Sequence, residues 1–237
     1  MKDLIDHLFS FHEVQLAVFP EFISFLKGRK KIIRIVVDNS NKPFNVTLFR
    51  KYGYFVKESL LYSSVQKNSF GSLVPSIDQI AGGEFVEVRM FSISSSHKDL
   101  DGFEHAELYG DVEKAGIYLG YPICCTKNII NINNLKELWA TYYLTDYKKN
   151  KSASYFTNRF PITWGGFSII GELFPCSLTC SKAIEYANHM YDDMVDFGFH
   201  RVSEVMINHA KSSIYINAQN GAISNCENKG YDSIVFS

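Results

Sequence analysis

The sequence lacks the features of a membrane or secreted protein. No window approaches the ~18 consecutive apolar residues that a transmembrane helix needs. Residues 1–7 include Asp3 and Asp6 at the place where a signal peptide is basic and then apolar. Five cysteines in 237 residues are too few for a disulfide scaffold, and an odd number leaves one unpaired. We therefore predict a cytoplasmic protein with reduced thiols and no membrane partner.

The chain also lacks an excess of charge and the common catalytic motifs. It has 24 Lys and Arg against 25 Asp and Glu, and its only basic cluster spans residues 27–31. A chain with this charge balance lacks the large basic patch that binds nucleic-acid phosphates, so we predict no nucleic-acid partner. A Walker loop, a Rossmann glycine fingerprint, a Gly-x-Ser-x-Gly elbow and a His-Glu-x2-His zinc motif are absent. These absences exclude several common classes of enzyme.

Apolar and aromatic residues, in contrast, are plentiful. Hydrophobic residues make up 46% of the chain, with 19 Phe and 14 Tyr, so there is enough apolar surface for a full core. The length fits one large domain or two small ones. The aromatic content is also compatible with a homodimer.

The periodicity of the apolar residues predicts an α+β fold. Residues 1–27 have helical spacing, with a break at Pro20. β-branched residues at 31–37, a turn signal and alternation at 44–49 predict a hairpin. Residues 84–91 alternate as a strand with one solvated face. The N-terminal part of the chain is therefore predicted to form an antiparallel sheet.

Helical periodicity dominates the rest of the chain. Helices are predicted over residues 105–119, 135–147, 179–197 and 202–209. The change of pattern predicts a strand-rich region over residues 1–95 and a mainly helical region over 96–237 that carries the cysteine motifs. These are either two regions or one continuous domain.

Four of the five cysteines lie in two short stretches. Residues 119–125 read LGYPICC, and residues 174–180 read FPCSLTC. In each, a proline stands just ahead of the first cysteine, at a point where a helix can begin. Unbonded amides and the dipole at a helix start favour the thiolate, which is the form that attacks electrophiles and binds metals. We predict that Cys176 and Cys180 share the inward face of such a helix.

The two stretches predict a cysteine-lined site that binds zinc or an iron–sulfur cluster. Its ligands would be Cys124, Cys125, Cys176 and Cys180. The usual zinc pattern of two Cys-x2-Cys pairs is absent. Side chains of adjacent helical residues diverge by roughly 100°, so we expect one of Cys124 and Cys125 to be buried while the other serves the site. Cys226 lies in a stretch rich in Asn and Gly and is predicted to be incidental.

Two other interpretations stay open at the level of sequence. Free cysteine is among the most buried residue types, so all four cysteines could be small core residues. Alternatively, Cys124 or Cys125 is a catalytic nucleophile at a helix start, with His105 as its general base. His105 falls on the predicted apolar face of helix 105–119, where it could also be a metal ligand or a core histidine. A solvated acidic face is predicted from Asp192, Asp193 and Asp196.

The order Gly120-Tyr121-Pro122-x-Cys124-Cys125, followed by Pro175-Cys176-x3-Cys180, resembles an uncharacterised prokaryotic domain-of-unknown-function family. That family has a GYP-x-CC box and a later cysteine pair, and the resemblance covers roughly residues 103–190. His105 stands where the family has a histidine ahead of the box. The resemblance implies that the cysteines are functional, and it names no reaction.

The sequence therefore supports three functional hypotheses. The first is a metal-binding protein of a small biosynthetic or modifying pathway, acting on a small molecule or a peptide. The second is a metal-free thiol enzyme. The third is a binding module whose aromatic-rich N-terminal sheet recognises a peptide or a partner chain, with the cysteines as a structural core.

Overall fold

The computed structural model describes most of the chain. The described residues are 1–10, 14–38, 43–59, 62–66, 73–74, 85–133, 139–150, 152–159, 168–212, 214–216, 223–224 and 232–236. They confirm an α+β fold. The chain divides into two compact units, Met1–Val18 with Phe25–Gly120, and Phe19–Ser24 with Tyr121–Ser237. None of the described helices combines the length and the apolar character that a membrane span needs.

The first unit is built on an antiparallel sheet whose central strand is β5 (Phe85–Ser94). One edge of β5 pairs with β1 (Ile32–Asp38). Its other edge pairs with β2 (Phe55–Glu58) and β3 (Tyr62–Gln66). β4 (Leu73–Val74) extends the sheet beyond β3. The long strand β5 therefore organises the whole sheet.

The predicted strands at 31–37 and 84–91 are both confirmed. In β1 the alternating residues Ile33, Ile35 and Val37 are buried, as the β-branched pattern indicates. The partner of β1 is β5, however, and the predicted hairpin is wrong.

Residues 44–49 contribute to a helix where the sequence predicts a strand. α3 (Val46–Lys51) begins at Asn45, whose side chain accepts a backbone amide of the first turn at 3.0 Å. Phe44 stacks on Phe49 with ring centroids 5.1 Å apart. Because the cap and the aromatic contact both require the helix, they outweigh the alternating pattern.

Two helices replace the single segment predicted over residues 1–27. They are α1 (Lys2–Phe9) and α2 (Val14–Leu26), and Pro20 lies inside α2. The predicted break at Pro20 is therefore wrong. A proline inside a helix costs about 3 kcal/mol, and the burial of apolar side chains such as Phe22 offsets this cost.

Helices α4 (His97–Leu108) and α5 (Val112–Tyr118) complete the first unit. α4 packs against β5 and β2. Lys57 on β2 lies 2.6 Å from Asp101 of α4. Both helices belong to the same compact unit as the sheet, and the change of region at residue 95 stays a prediction.

Among the described residues, the second unit holds four further helices, a small sheet and the Phe19–Ser24 part of α2. Its helices are α6 (Ile123–Asn133), α7 (Trp139–Asn150), α8 (Ser181–Asp196) and α9 (His200–Ala210). A 3₁₀ turn spans Tyr155–Thr157. The antiparallel sheet has β6 (Ile214–Ile216) between β7 (Ile223–Ser224) and β8 (Asp232–Ile234).

Helices α7 and α8 correspond to two of the predicted helices. α8 confirms the helix over 179–197, and Gly198 follows it with a left-handed φ of 90°. α7 overlaps the helix predicted over 135–147, of which residues 135–138 lie outside the described part of the chain.

One buried hydrophobic cluster of the second unit, part of its core, joins α7 to the small sheet. Its buried members are Tyr143, Leu144, Ala153, Leu178, Ile214, Ile216, Ile234 and Phe236. Leu178 comes from the stretch between Cys176 and Cys180, so the second cysteine stretch is anchored in this core.

Candidate metal centre

The first cysteine stretch lies at the start of a helix. Gly120 follows α5 in the left-handed conformation, with a φ of 77°, and α6 begins after Pro122. The amides of Cys125 and Thr126 donate to the Pro122 carbonyl at 2.8 and 3.0 Å. Cys124 and Cys125 therefore lie in the first turn of α6, as the sequence predicts.

The second cysteine stretch forms a loop instead of a helix. α8 begins at Ser181, and Cys180 is its N-cap residue. The Cys180 amide donates to the Ser177 carbonyl at 3.2 Å, and the Cys180 carbonyl accepts the amide of Ile184 at 3.0 Å. The prediction that Cys176 and Cys180 share a helix face is therefore wrong.

Tertiary contacts hold this loop out of a helix. The amide of Leu178 donates to Asp146 Oδ2 on α7 at 2.7 Å. The Leu178 carbonyl accepts the amide of Ser154 at 3.1 Å and the hydroxyl of Thr157 at 2.9 Å. The Leu178 side chain is fully buried. Because a helix would break these bonds and withdraw Leu178 from the core, the local signal from Pro175 is overridden.

Side chains also link the start of α6 to the second stretch. Asn128 on α6 donates to the Tyr142 hydroxyl at 3.1 Å, and that hydroxyl donates to the Cys176 carbonyl. The buried Arg159 guanidinium lies 3.6 Å from the centre of the ring of Phe174, the first residue of the second stretch. No spacing pattern in the sequence points to these supporting residues, because their partners lie far along the chain.

The four cysteine sulfurs converge on one point. The Sγ atom of Cys124 lies 3.9 Å from that of Cys125 and 3.7 Å from that of Cys180, and Cys125 lies 3.9 Å from Cys180. With Cys176 included, all four sulfurs lie within 4.8 Å of one another. They are free thiols, because a disulfide needs about 2.05 Å. The four predicted ligands are therefore close enough to hold one metal ion.

Cys124 and Cys125 both contribute a sulfur to this group although they are adjacent. Neighbouring Cα atoms are only about 3.8 Å apart, so rotation about each Cα–Cβ bond can bring both sulfurs to one point. The expectation that only one of them serves the site is not supported. They differ in exposure instead: Cys125 is 1% exposed, whereas Cys124 is open to solvent. Cys226 lies outside the described residues.

Burial and mutual repulsion oppose ionisation of the inner thiols. Burial raises the pKa of Cys125 well above its ordinary value. The amide of Cys176 donates to Cys125 Sγ at 3.4 Å and acts in the opposite direction, lowering that pKa. Burial and the neighbouring thiols raise the pKa of Cys176 to about 12. Burial also opposes ionisation of Cys180, but the Ala183 amide and the neighbouring thiols bring its pKa below the ordinary value. Four thiolates at this spacing need a cation among them.

His105 does not belong to this group of four. It lies near the end of α4 in the first unit, is exposed, and contacts the Tyr109 ring at a tilt of 36°, with ring centroids 4.4 Å apart. The predicted apolar face of this segment is wrong, because Leu108 and Val112 are also exposed and Gly110 separates α4 from α5. A role for His105 as a metal ligand or general base stays a prediction.

The acidic face predicted near the end of α8 is only partly solvated. Asp192 and Asp196 are exposed, whereas Asp193 is fully buried and accepts the hydroxyl of Ser24 at 2.6 Å. Glu21 is a second buried acid of the same unit. Sequence reasoning missed both buried acids, because burial of a carboxyl group depends on partners that are remote in sequence.

A cavity of about 580 Å³ lies in the first unit, between α3, β2 and α4. Two of its lining residues, Lys57 and His97, are paired with Asp101 at 2.6 and 2.8 Å. Phe55 adds an exposed aromatic ring to the same surface. Recognition of a peptide by this region stays a prediction.

Comparisons with protein-family models, with curated proteins and with solved structures find no match. The function is therefore argued from the geometry of the four-cysteine centre.

Proposed function

We propose that the protein binds one zinc ion through Cys124, Cys125, Cys176 and Cys180 as a structural centre of its second unit. The observation that carries the proposal is the spacing of the sulfurs. Zn–S bonds are about 2.3 Å long and a tetrahedron's edge is about 1.63 times its centre-to-corner distance, so ligating sulfurs lie about 3.8 Å apart. The separations among Cys124, Cys125 and Cys180 are 3.7, 3.9 and 3.9 Å.

A single ion fits this spacing better than an iron–sulfur cluster does. In a cluster, four cysteines are shared among two or four irons, so sulfurs that bind different irons are farther apart than the ligands of one ion. All four sulfurs of this centre lie within 4.8 Å of one another. Among single ions, a closed tetrahedral set of four thiolates is typical of zinc.

Four protein ligands favour a structural role over a catalytic one. A catalytic zinc keeps one coordination position open for water or substrate, whereas a structural zinc has four protein ligands. Cys124 and Cys125 come from the start of α6, Cys176 from the loop before α8, and Cys180 from the N-cap of α8. One ion would tie these three segments together. The resemblance to the cysteine-box family supports functional cysteines, and a place in a biosynthetic or modifying pathway stays a prediction.

One observation favours a second candidate function, a thiol enzyme without metal. Cys124 is exposed in the first turn of α6, where an electrophile can reach its sulfur. Its sulfur would then be the nucleophile. This alternative requires Cys124 to react with electrophiles in the native protein, and it requires no bound ion.

Substitution with cobalt(II) tests the proposal. We expect one cobalt ion per chain, with sulfur-to-cobalt charge-transfer bands and the intense visible bands of tetrahedral coordination. Zinc should displace the cobalt and abolish the colour. A weak octahedral spectrum, or no binding, would contradict the proposal. Rapid alkylation of Cys124 in the same metal-free sample would then favour the thiol enzyme.

A further inference from the structure

The carboxyl group of Glu21 lies between the segments that lead into the two cysteine stretches. It is 2% exposed and accepts the amide of Glu172 at 2.8 Å. The hydroxyl of Tyr121 lies 3.4 and 3.5 Å from its two oxygens. Tyr121 stands three residues before Cys124, and Glu172 stands four residues before Cys176. The Glu21 side chain, from α2, therefore contacts one residue shortly before Cys124 and another shortly before Cys176.

The backbone around Glu172 is shaped to admit this carboxyl group. Gly171 has a left-handed φ of 61°, and a Cβ atom there would lie 2.4 Å from Glu21 Oε1. Any larger residue at 171 would displace either the loop or the carboxyl group. Gly171 thus allows the close approach of Glu21 to the segment just before the second stretch.

Tyr186 on α8 adds a third connection. Its hydroxyl is a hydrogen-bond partner of Glu21, and burial, followed by the nearby Glu21, raises its pKa well above the ordinary value. Tyr186 therefore keeps its proton as a donor. Its ring contacts Tyr121 edge-on, with centroids 5.9 Å apart. Since Cys180 is the N-cap of α8, Glu21 contacts the first stretch, the segment just before the second stretch, and the helix that Cys180 caps.

We infer that Glu21 is a positioning residue for the four-cysteine centre, holding the two cysteine stretches in the arrangement in which their sulfurs converge. This inference rests on the proposed function. Glu21 is not one of the four clustered ligands and acts through the backbone and hydroxyl groups that it binds. Its effect is preorganisation, because segments already held together lose less freedom when the ion binds.

Zinc affinity of the full chain tests the inference, measured by competition with a chromophoric chelator. We expect Glu21→Ala to lower the affinity by about 10- to 100-fold, the usual effect of losing a group that orients metal ligands. Glu21→Gln keeps an oxygen that can accept the Glu172 amide, so we expect a smaller loss. Circular dichroism at the same temperature shows whether each variant is folded.

Ser24→Ala is the matched control. It removes another buried hydrogen bond from the same helix, the 2.6 Å bond to Asp193 on α8. We expect unchanged zinc affinity for Ser24→Ala. An equal loss in Ser24→Ala and the Glu21 variants would overturn the inference, and so would wild-type affinity in Glu21→Ala. If Glu21→Ala does not fold, Glu21→Gln against Ser24→Ala decides. Failure of the wild-type chain to bind zinc would instead refute the proposed function.

Discussion

A Cys125→Ser variant is expected to lose its zinc during dialysis against a competing chelator that the wild-type protein withstands. Cys125 is the innermost ligand, 1% exposed, and its sulfur lies 3.9 Å from those of Cys124 and Cys180. Structural zinc contributes about 10–16 kcal/mol of apparent binding free energy, so losing one ligand in four removes roughly 2.5–4 kcal/mol, or about 100- to 1000-fold in affinity. Elemental analysis after dialysis measures the retained zinc.

Cys226→Ser provides the control for this experiment. It removes the one cysteine outside the two stretches and makes the same chemical change. We expect it to retain one zinc per chain. Equal zinc retention in Cys125→Ser and Cys226→Ser would contradict the assignment of Cys125 as a ligand.

Removal of zinc is expected to lower the melting temperature of the second unit by about 8–16 °C. A ligand at a thousandfold excess over its dissociation constant contributes about 4 kcal/mol of stability, and each kcal/mol corresponds to about 2–4 °C in a chain of this size. The effect is large because the ion joins the start of α6 to the loop over 174–180 and to α8. Calorimetry with a chelator, and again after zinc is returned, measures the shift.

The Cys125→Ser variant should be insensitive to the chelator, because it has no ion to lose. A wild-type melting temperature that does not respond to the chelator would show that the cysteines stabilise the unit without metal. They would then be small core residues.

The pH dependence of the two forms should have opposite signs. In the metal-free protein the pKa values of Cys125 and Cys176 lie above the ordinary thiol value of 9.0. Above about pH 9 the folded state holds protons that the unfolded chain has released. The contribution of these two thiols to the free energy of unfolding is therefore fully present below about pH 9 and is lost as the pH rises further. Cys180, whose pKa is lowered, opposes this trend in part. In the zinc-bound protein, protons compete with the ion, and stability falls as the pH drops.

Local patterns in the sequence predict those elements that depend on neighbouring residues. Alternating β-branched residues indicate β1, the spacing of apolar residues indicates α8, and Pro122 marks the start of α6. The two cysteine stretches are visible for the same reason, because each is a short local motif. The convergence of four cysteines could therefore be predicted before the structure, although the conformation of the second stretch could not.

The predictions fail where long-range contacts decide the local conformation. Pro175 signals a helix start, but the burial of Leu178 and its bond to Asp146 impose a loop. Pro20 signals a break, but α2 continues through it. Glu21 shows the limit most clearly, since its partner Glu172 lies in a remote part of the chain and no spacing rule connects them. Only the contacts of its carboxyl group in the folded protein identify Glu21 as a positioning residue for the four-cysteine centre.

The central claim is that four cysteines hold one zinc ion. Metal and acid-labile sulfide analysis of protein purified without oxygen tests it most directly, together with a visible spectrum. The account predicts one zinc per chain, no sulfide and no colour. Iron with sulfide in near-stoichiometric amounts would contradict the claim and establish a cluster. A colourless, well-folded protein without any metal would also contradict it, because the four cysteines would then be free thiols.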